Sequence, residues 1–309
     1  MKPDQLMAPP ELRPVRVRRW SLAASATAGS AAVVLAVLAA VPYFIGGPAE
    51  QPLIIAFTFI AMATLWNLLA GFSGLTSFGQ NAYIGAGAYG LYLVASHGVN
   101  PFAGIAAAAV ISGLVALPVS ALLLRLSGGY FAVASLVVAA VFQIAVTLAP
   151  SVGGTTGVSV PGLGGYDPVL REALTYWAAM IVAVVCVVGV FLLVRAGFGM
   201  DTRAVASDPV AAASLGVRVG RIRLLAYLAA ALGTGAVGAL IALQTMFIEP
   251  TSVFSIQYSV EMLFMVLVGG VAVVATLTVP RGLWGFVSDR WGWSLFPVGY
   301  RVRDRREEA

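Results

Sequence analysis

Runs of about twenty apolar, uncharged residues recur along this chain, and each is long enough to cross a bilayer as a helix. All but one of its eighteen Lys and Arg residues fall on the same side when those runs are threaded through a membrane in turn. The first run is Ser21–Ile45, and Lys2, Arg13, Arg16, Arg18 and Arg19 precede it. Positive charge is retained in the cytoplasm, so that end is set inside. Alternating sides from there places Arg125, Arg195, Arg203, Arg218, Arg221 and Arg223 inside. Arg281, Arg290, Arg301, Arg303, Arg305 and Arg306 follow, also inside, and only Arg171 falls outside. A wrong span count scatters these charges, so count and orientation check one another.

Composition agrees. Of 309 residues, 60% are hydrophobic and 10% charged, where a soluble domain carries about 25% charged residues. The net charge of +5 is a cytoplasmic rim beside anionic membrane lipid, and no nucleic acid is needed to explain it. The expected fold class is an all-α membrane protein, a polytopic helical bundle with both termini cytoplasmic. At about 20 residues per span, the runs are Ser21–Ile45, Leu53–Ala70, Gln80–Ser96, Phe102–Leu124, Tyr130–Ala149, Leu174–Val194, Leu224–Phe247 and Val260–Val279, about eight in all. Ser21–Ile45 is longer than the apolar core of a signal peptide, about 7–15 residues, so it reads as a retained helix. Residues 1–20 form a Pro-rich basic cytoplasmic tail and residues 21–285 the membrane domain. Residues 196–223 form a polar cytoplasmic loop, and residues 286–309 a second basic tail with Trp291 and Trp293 near the interface.

Two breaks in the apolar pattern carry the most information. Gly71–Gln80 reads GFSGLTSFGQ. It is either a plain cytoplasmic loop or irregular backbone at membrane depth, which must then be buried in protein or line a cavity. Ser151–Tyr166 holds six glycines and one proline. It is either a connector or a surface at the external mouth where a partner or substrate arrives. Small residues in Gln80–Ser96 and Leu224–Phe247 mark helix–helix contact faces.

The residues exclude several function classes. One His (His97) and one Cys (Cys186) leave no basis for a His-dependent triad, a disulfide within the chain or a metal site. Lys2 is the sole lysine, and no phosphate-binding glycine loop occurs. No catalytic residue, metal or cofactor is therefore expected. Intramembrane ionisable groups, which ion-coupled carriers need, are nearly absent. Glu261 sits two residues inside its span and reads as interfacial. That scarcity favours an external motor. The loop Phe198–Tyr227 offers it a grip. Ser207 or Asp208 can cap a short helix beginning near Pro209, and Gly216 can end it. Such a helix is either an ordinary surface element or one that enters a groove on a partner.

At this point the chain resembles a known family. GFSGLTSFGQNAYIGAGAYG (Gly71–Gly90) is similar to the signature of membrane permease subunits of branched-chain amino acid ABC importers. SGGYFAVASL (Ser127–Leu136), GGTTGVSVPG (Gly153–Gly162), DTRAVASDPVAAASLGV (Asp201–Val217), IEPTSVFSIQYSVEMLFMVLVGG (Ile248–Gly270) and VPRGLWG (Val279–Gly285) resemble its later stretches in order. Ordering and loop composition match the M-type permease rather than the H-type. The resemblance implies that Arg203, Asp208, Ala211, Ala212 and Gly216 belong to the segment that docks on the ATPase. Val210 replaces a glutamate that often precedes the Ala-Ala pair, and Ala213 occupies a position that is commonly acidic. Gln80 stands where relatives often carry His. Ser77, Gln80 and Asn81 are the candidates for lining the translocation path.

One departure stands out. In the family, the pair at Gly269 and Gly270 opens a turn followed by two more spans before the final Pro-Arg-Gly. Here Gly270 runs straight into VAVVATLTVPRG, so two spans of about 20 residues each, about 40 residues, are missing near the C-terminus. Parity is preserved, and the charge count survives.

The resemblance implies a permease subunit in the bacterial inner membrane that moves branched-chain or other hydrophobic amino acids inward. Its expected partners are two ATPase subunits, a second (H-type) permease and a periplasmic substrate-binding protein. Alternatives are a urea or short-amide permease of the same family, a secondary carrier, or a shortened scaffold that does not transport.

Overall fold

The computed structural model describes residues 22–44, 50–195 and 197–269. Both basic tails, the junction after Gly270 and the end of the last expected span lie outside the described residues. Seven of the eight apolar runs coincide with a helix, and the described part of the eighth is helical too. These are α1 (Leu22–Phe44), α2 (Gln51–Asn67), α3 (Gln80–Ser96), α4 (Pro101–Leu123), α5 (Gly129–Thr147), α6 (Pro168–Arg195), α9 (Val219–Thr245) and α11 (Ile256–Gly269). Between α6 and α9 lie α7 (Gly197–Ser207) and α8 (Pro209–Ser214). After α9 comes α10 (Pro250–Val253). The molecule is a polytopic helical membrane protein.

Five helices are long and apolar enough to cross a membrane: Gln51–Phe72, Pro101–Leu123, Gly129–Thr147, Pro168–Arg195 and Val219–Thr245. The expected count of eight is thus met in helix positions but not in full-length spans among the described residues. The case of α3 has a physical reason. At 17 residues it is about 25 Å long, because the chain before it stays irregular until Gln80. Gln80 lies level with the middle of α9, where Thr234 Oγ1 is 3.1 Å from Gln80 Oε1.

The centre of the bundle is the crossing of α3, α4 and α9, with α9 the most enclosed span. Nothing but small residues fits there. A Cβ on Gly87 would collide with Gly235 O, one on Gly235 with the Ser112 side chain, and one on Gly238 with Ile84 O. In lipid, helices associate by such close packing. Ser112 ties all three helices, its hydroxyl lying 3.0 Å from Ala231 O and 3.3 Å from Tyr83 O. Toward the α8 end, Tyr83 and Tyr227 meet OH to OH at 2.7 Å, with rings edge to face at 87°. Buried tyrosine hydroxyls need such partners. On the other side α2 packs between α6 and α9, with Phe57 edge-on to Tyr176.

The glycine-rich segment between α5 and α6 is a fastened strap rather than a free connector. Val158–Ser159 (β1) pairs antiparallel with Phe247–Ile248 (β2). The Val160 N–H extends the pairing to Met246 O at 3.0 Å. Asn100 Nδ2 donates to Tyr166 Oη at 2.8 Å, so the strap joins three connections at one end of the bundle. His97 ends α3 there, exposed, as expected of a loop residue. Glu261, read as interfacial, lies five residues inside α11 and accepts from Gln257 Nε2 at 3.1 Å.

Replacing Gly87 by Leu forces α3 off α9. We expect a loss of about 1–3 kcal/mol or more, read as a lower melting temperature and loss of the monodisperse peak in detergent. Gly189→Leu, where a Cβ meets open space, should leave both unchanged.

Candidate functional site

The π-turn Leu68–Phe72 ends α2 and opens the irregular segment. Such turns are frequent at functional sites. The segment alternates between buried residues, Ser73, Leu75, Ser77 and Gly79, and exposed ones, Gly71, Gly74 and Thr76. Ser73 and Ser77 are fully buried, and Gln80 and Asn81 nearly so. Its polar groups are met one by one. Ser73 Oγ donates to Leu68 O at 3.0 Å, and the Leu75 N–H to Leu69 O at 2.9 Å. Trp66 Nε1 donates to Ser77 O at 2.9 Å. Ser135 Oγ, on α5, accepts from the Phe78 N–H at 3.0 Å.

The structure gathers Ser77, Gln80 and Asn81 into one polar seam, but they are unequally available. Ser77 Oγ is engaged by the Gly79 N–H at 3.3 Å. Asn81 is a latch: Nδ2 donates to Phe254 O at 2.6 Å, and Oδ1 accepts from Ser259 Oγ at 3.2 Å. It fastens the start of α3 to the α10–α11 corner. Gln80 is different. Its Oε1 lies beside Thr234, while Nε2 is buried without a partner among the described residues. Buried donors are costly to leave unmet, so Gln80 is the seam residue with spare hydrogen-bonding capacity. Thr234, Ser135, Ser259 and Trp66 complete the seam and were not singled out from sequence. The available signal was their polarity inside apolar runs.

The segment Asp208–Gly216 folds as its residues dictate. Asp208, not Ser207, caps α8: its Oδ1 accepts from the Val210 and Ala211 N–H groups at 2.8 and 3.1 Å. Pro209 takes the first helical position, where its missing N–H costs nothing. Gly216 closes the helix at φ +87°. Its N–H donates to Ala213 O and that of Val217 to Ala212 O, at 3.0 and 3.1 Å, the paired bonds of a Schellman turn. Of the Ala-Ala pair, Ala212 is buried against Val205 and Ile222 while Ala211 is exposed. Val210 and Leu215 are 77% and 83% exposed.

Arg203 lies on the exposed face of α7. Its guanidinium stands over the Phe72 ring, 5.9 Å from the centroid, a cation–π contact with the π-turn. One turn on, Ala206 Cα lies against Gly74, which holds φ +66° and has no room for a side chain. The helix that carries α8 is therefore seated on the irregular segment, and that segment ends at Gln80.

The model of the family described as branched-chain amino acid transport system / permease component matches residues 49–281. The chain belongs to this family. As such a permease component, it is similar to the high-affinity branched-chain amino acid transport system permease protein LivM of Escherichia coli (strain K12), with 29% identity over 271 residues. It is 28% identical over 269 residues to the LivM protein of Salmonella typhimurium (strain LT2). Each match takes in 77% of this chain and 62% of the relative, so the chain spans less than two thirds of the curated relatives it matches. Because 77% of 309 residues is fewer than the 271 aligned, part of the Escherichia coli relative's aligned length has no counterpart here. No solved structure matches.

Asp208→Ala should cost about 0.5–2 kcal/mol of local stability. The readout is hydrogen exchange, with faster exchange at the Val210 and Ala211 amides and no change in α9.

Proposed function

We propose that this chain is the M-type permease subunit of an ABC importer in a bacterial inner membrane, carrying branched-chain or other hydrophobic amino acids inward. Two ATPase subunits, an H-type permease and a periplasmic binding protein complete the assembly. ATP hydrolysis belongs to the ATPases, and this chain supplies no catalytic group.

The observation that carries the reading is α8. It is fixed at both ends, anchored by Ala212 alone, and presents Val210 and Leu215 outward. Exposed aliphatic side chains on a short rigid helix fit a groove on a partner. Closure of the ATPases then pushes on Asp208–Gly216. Through α7 the push reaches Gly74 and Phe72, and so the seam at Ser77, Gln80 and Asn81. In this reading Arg203 transmits the motion inside the permease rather than gripping the ATPase. Gln80 Nε2 offers a hydrogen bond to cargo or water, while Asn81 holds the gate's frame. The seam is closed in this conformation, as a path must be on at least one side at all times. With the arginine-rich end inside, all eight helices are read as membrane segments, with α3 and α11 entering it from protein-lined breaks.

The part of the relative without a counterpart here favours one second reading, a shortened subunit that binds ATPases without transporting. A single experiment separates the two. The chain is expressed as the sole M-type permease beside its genomic partner subunits, and ATPase co-purification and binding-protein-dependent leucine uptake are measured. Transport predicts both. Val210→Asp with Leu215→Asp should cut ATPase capture about tenfold or more, by burying charges against an apolar groove, while the permease still inserts. Capture without uptake selects the shortened scaffold, and capture unchanged by the double substitution removes α8 as the docking element.

A further inference from the structure

At the α8 end of the bundle, the last turns of α4 and the first turns of α9 part to leave a groove of about 300 Å³. Its walls are Leu117, Ala121 and Leu124 on one side and Leu224 on the other. Ser120 also lines it, but its hydroxyl donates to Leu117 O at 2.6 Å, so the wall offers methyl and methylene groups. Gly220 is a gap in that wall, since a Cβ built there meets nothing within 4 Å. Arg125, two residues beyond α4, completes the lining.

Charge gathers where the groove ends. Arg218 and Arg221 flank Gly220 and are exposed, and Arg223 is half-buried with its Nε unpartnered. No ion pair among the described residues engages Arg125, Arg218, Arg221 or Arg223. Four like charges on two neighbouring helix ends repel unless an anion sits among them. Guanidinium groups bind phosphate oxygens with matched geometry.

We propose that this groove is a binding site for an anionic phospholipid. The phosphodiester sits among Arg125 and Arg221, and one acyl chain lies along the groove over Gly220. Two features favour lipid over an acidic loop of a soluble partner. The walls belong to the ends of two helices of spanning length and composition, where headgroups and the first acyl carbons of a bilayer lie. The aliphatic surface offered to a soluble partner lies elsewhere, on α8. Basic pockets between spans on the cytoplasmic side are a recurrent setting for acidic headgroups. The site joins α9, which crosses the seam at Thr234, to α4, so occupancy also stiffens the central crossing. The inference does not depend on what the chain transports.

The test uses the full chain in nanodiscs of phosphatidylcholine with or without phosphatidylglycerol. Lipid retained by the protein is counted by native mass spectrometry. The wild type should retain phosphatidylglycerol selectively. Arg125→Gln with Arg221→Gln should weaken that selectivity by about 25-fold, about fivefold per charge. Arg125→Lys with Arg221→Lys should restore most of it. Gly220→Leu fills the groove without altering charge, so retention should also fall. Equal retention of both lipids overturns the proposal. So do Gln and Leu variants that bind as the wild type does. A double Gln variant that keeps its lipid but loses ATPase capture reassigns the patch to protein docking.

Discussion

Backbone at membrane depth finds no water, so every N–H and C=O that leaves a helix there must be met by protein. On the membrane reading of this chain, the demand falls on the segment from Leu68 to Gly79. It is satisfied by Trp66 from α2, Ser135 from α5 and Ser73 within the segment itself. Much else follows. Because α5 must reach Phe78, it is held against the start of α3, and Gly79 has no space for a side chain beside Ser135 O. Because the segment ends level with Thr234, α3 starts in the middle of the bundle rather than at its rim.

The same segment connects the two ends of the functional argument. On one side α7 rests on it through Ala206 and Arg203. On the other it leads into Gln80 and Asn81, which touch α9 and the α10–α11 corner. Close-packed elements shift between discrete arrangements rather than deforming continuously. A displacement of α8 is therefore passed on as movement of a packed unit. The α3–α4–α9 crossing, where glycine and serine let backbones touch, is the rigid frame against which it moves.

Helix positions were legible in the sequence because bilayer thickness fixes the length of an apolar run. The ends of α8 were equally legible, since Asp208, Pro209 and Gly216 act within a few residues of one another. The seam was only half legible. Ser77, Gln80 and Asn81 stand out as polar residues beside a glycine-rich break. Ser135, which holds the Phe78 N–H, and Thr234 and Ser259, the partners of Gln80 and Asn81, come from helices 57, 154 and 178 residues away, and no local pattern points to them. Arg203, which the resemblance sets in the docking segment, also stands over the ring of Phe72, over a hundred residues earlier. Asn81, a candidate for lining the path, also holds Phe254 O with its amide.

The central claim is that α7, α8 and the irregular segment form one mechanical unit reaching the seam. Hydrogen exchange of the chain assembled with its proposed partners, compared with and without a non-hydrolysable ATP analogue, tests it most directly. The account predicts that protection changes together at residues 205–216 and 75–82. Changes confined to 205–216, with 75–82 unaffected, would contradict it.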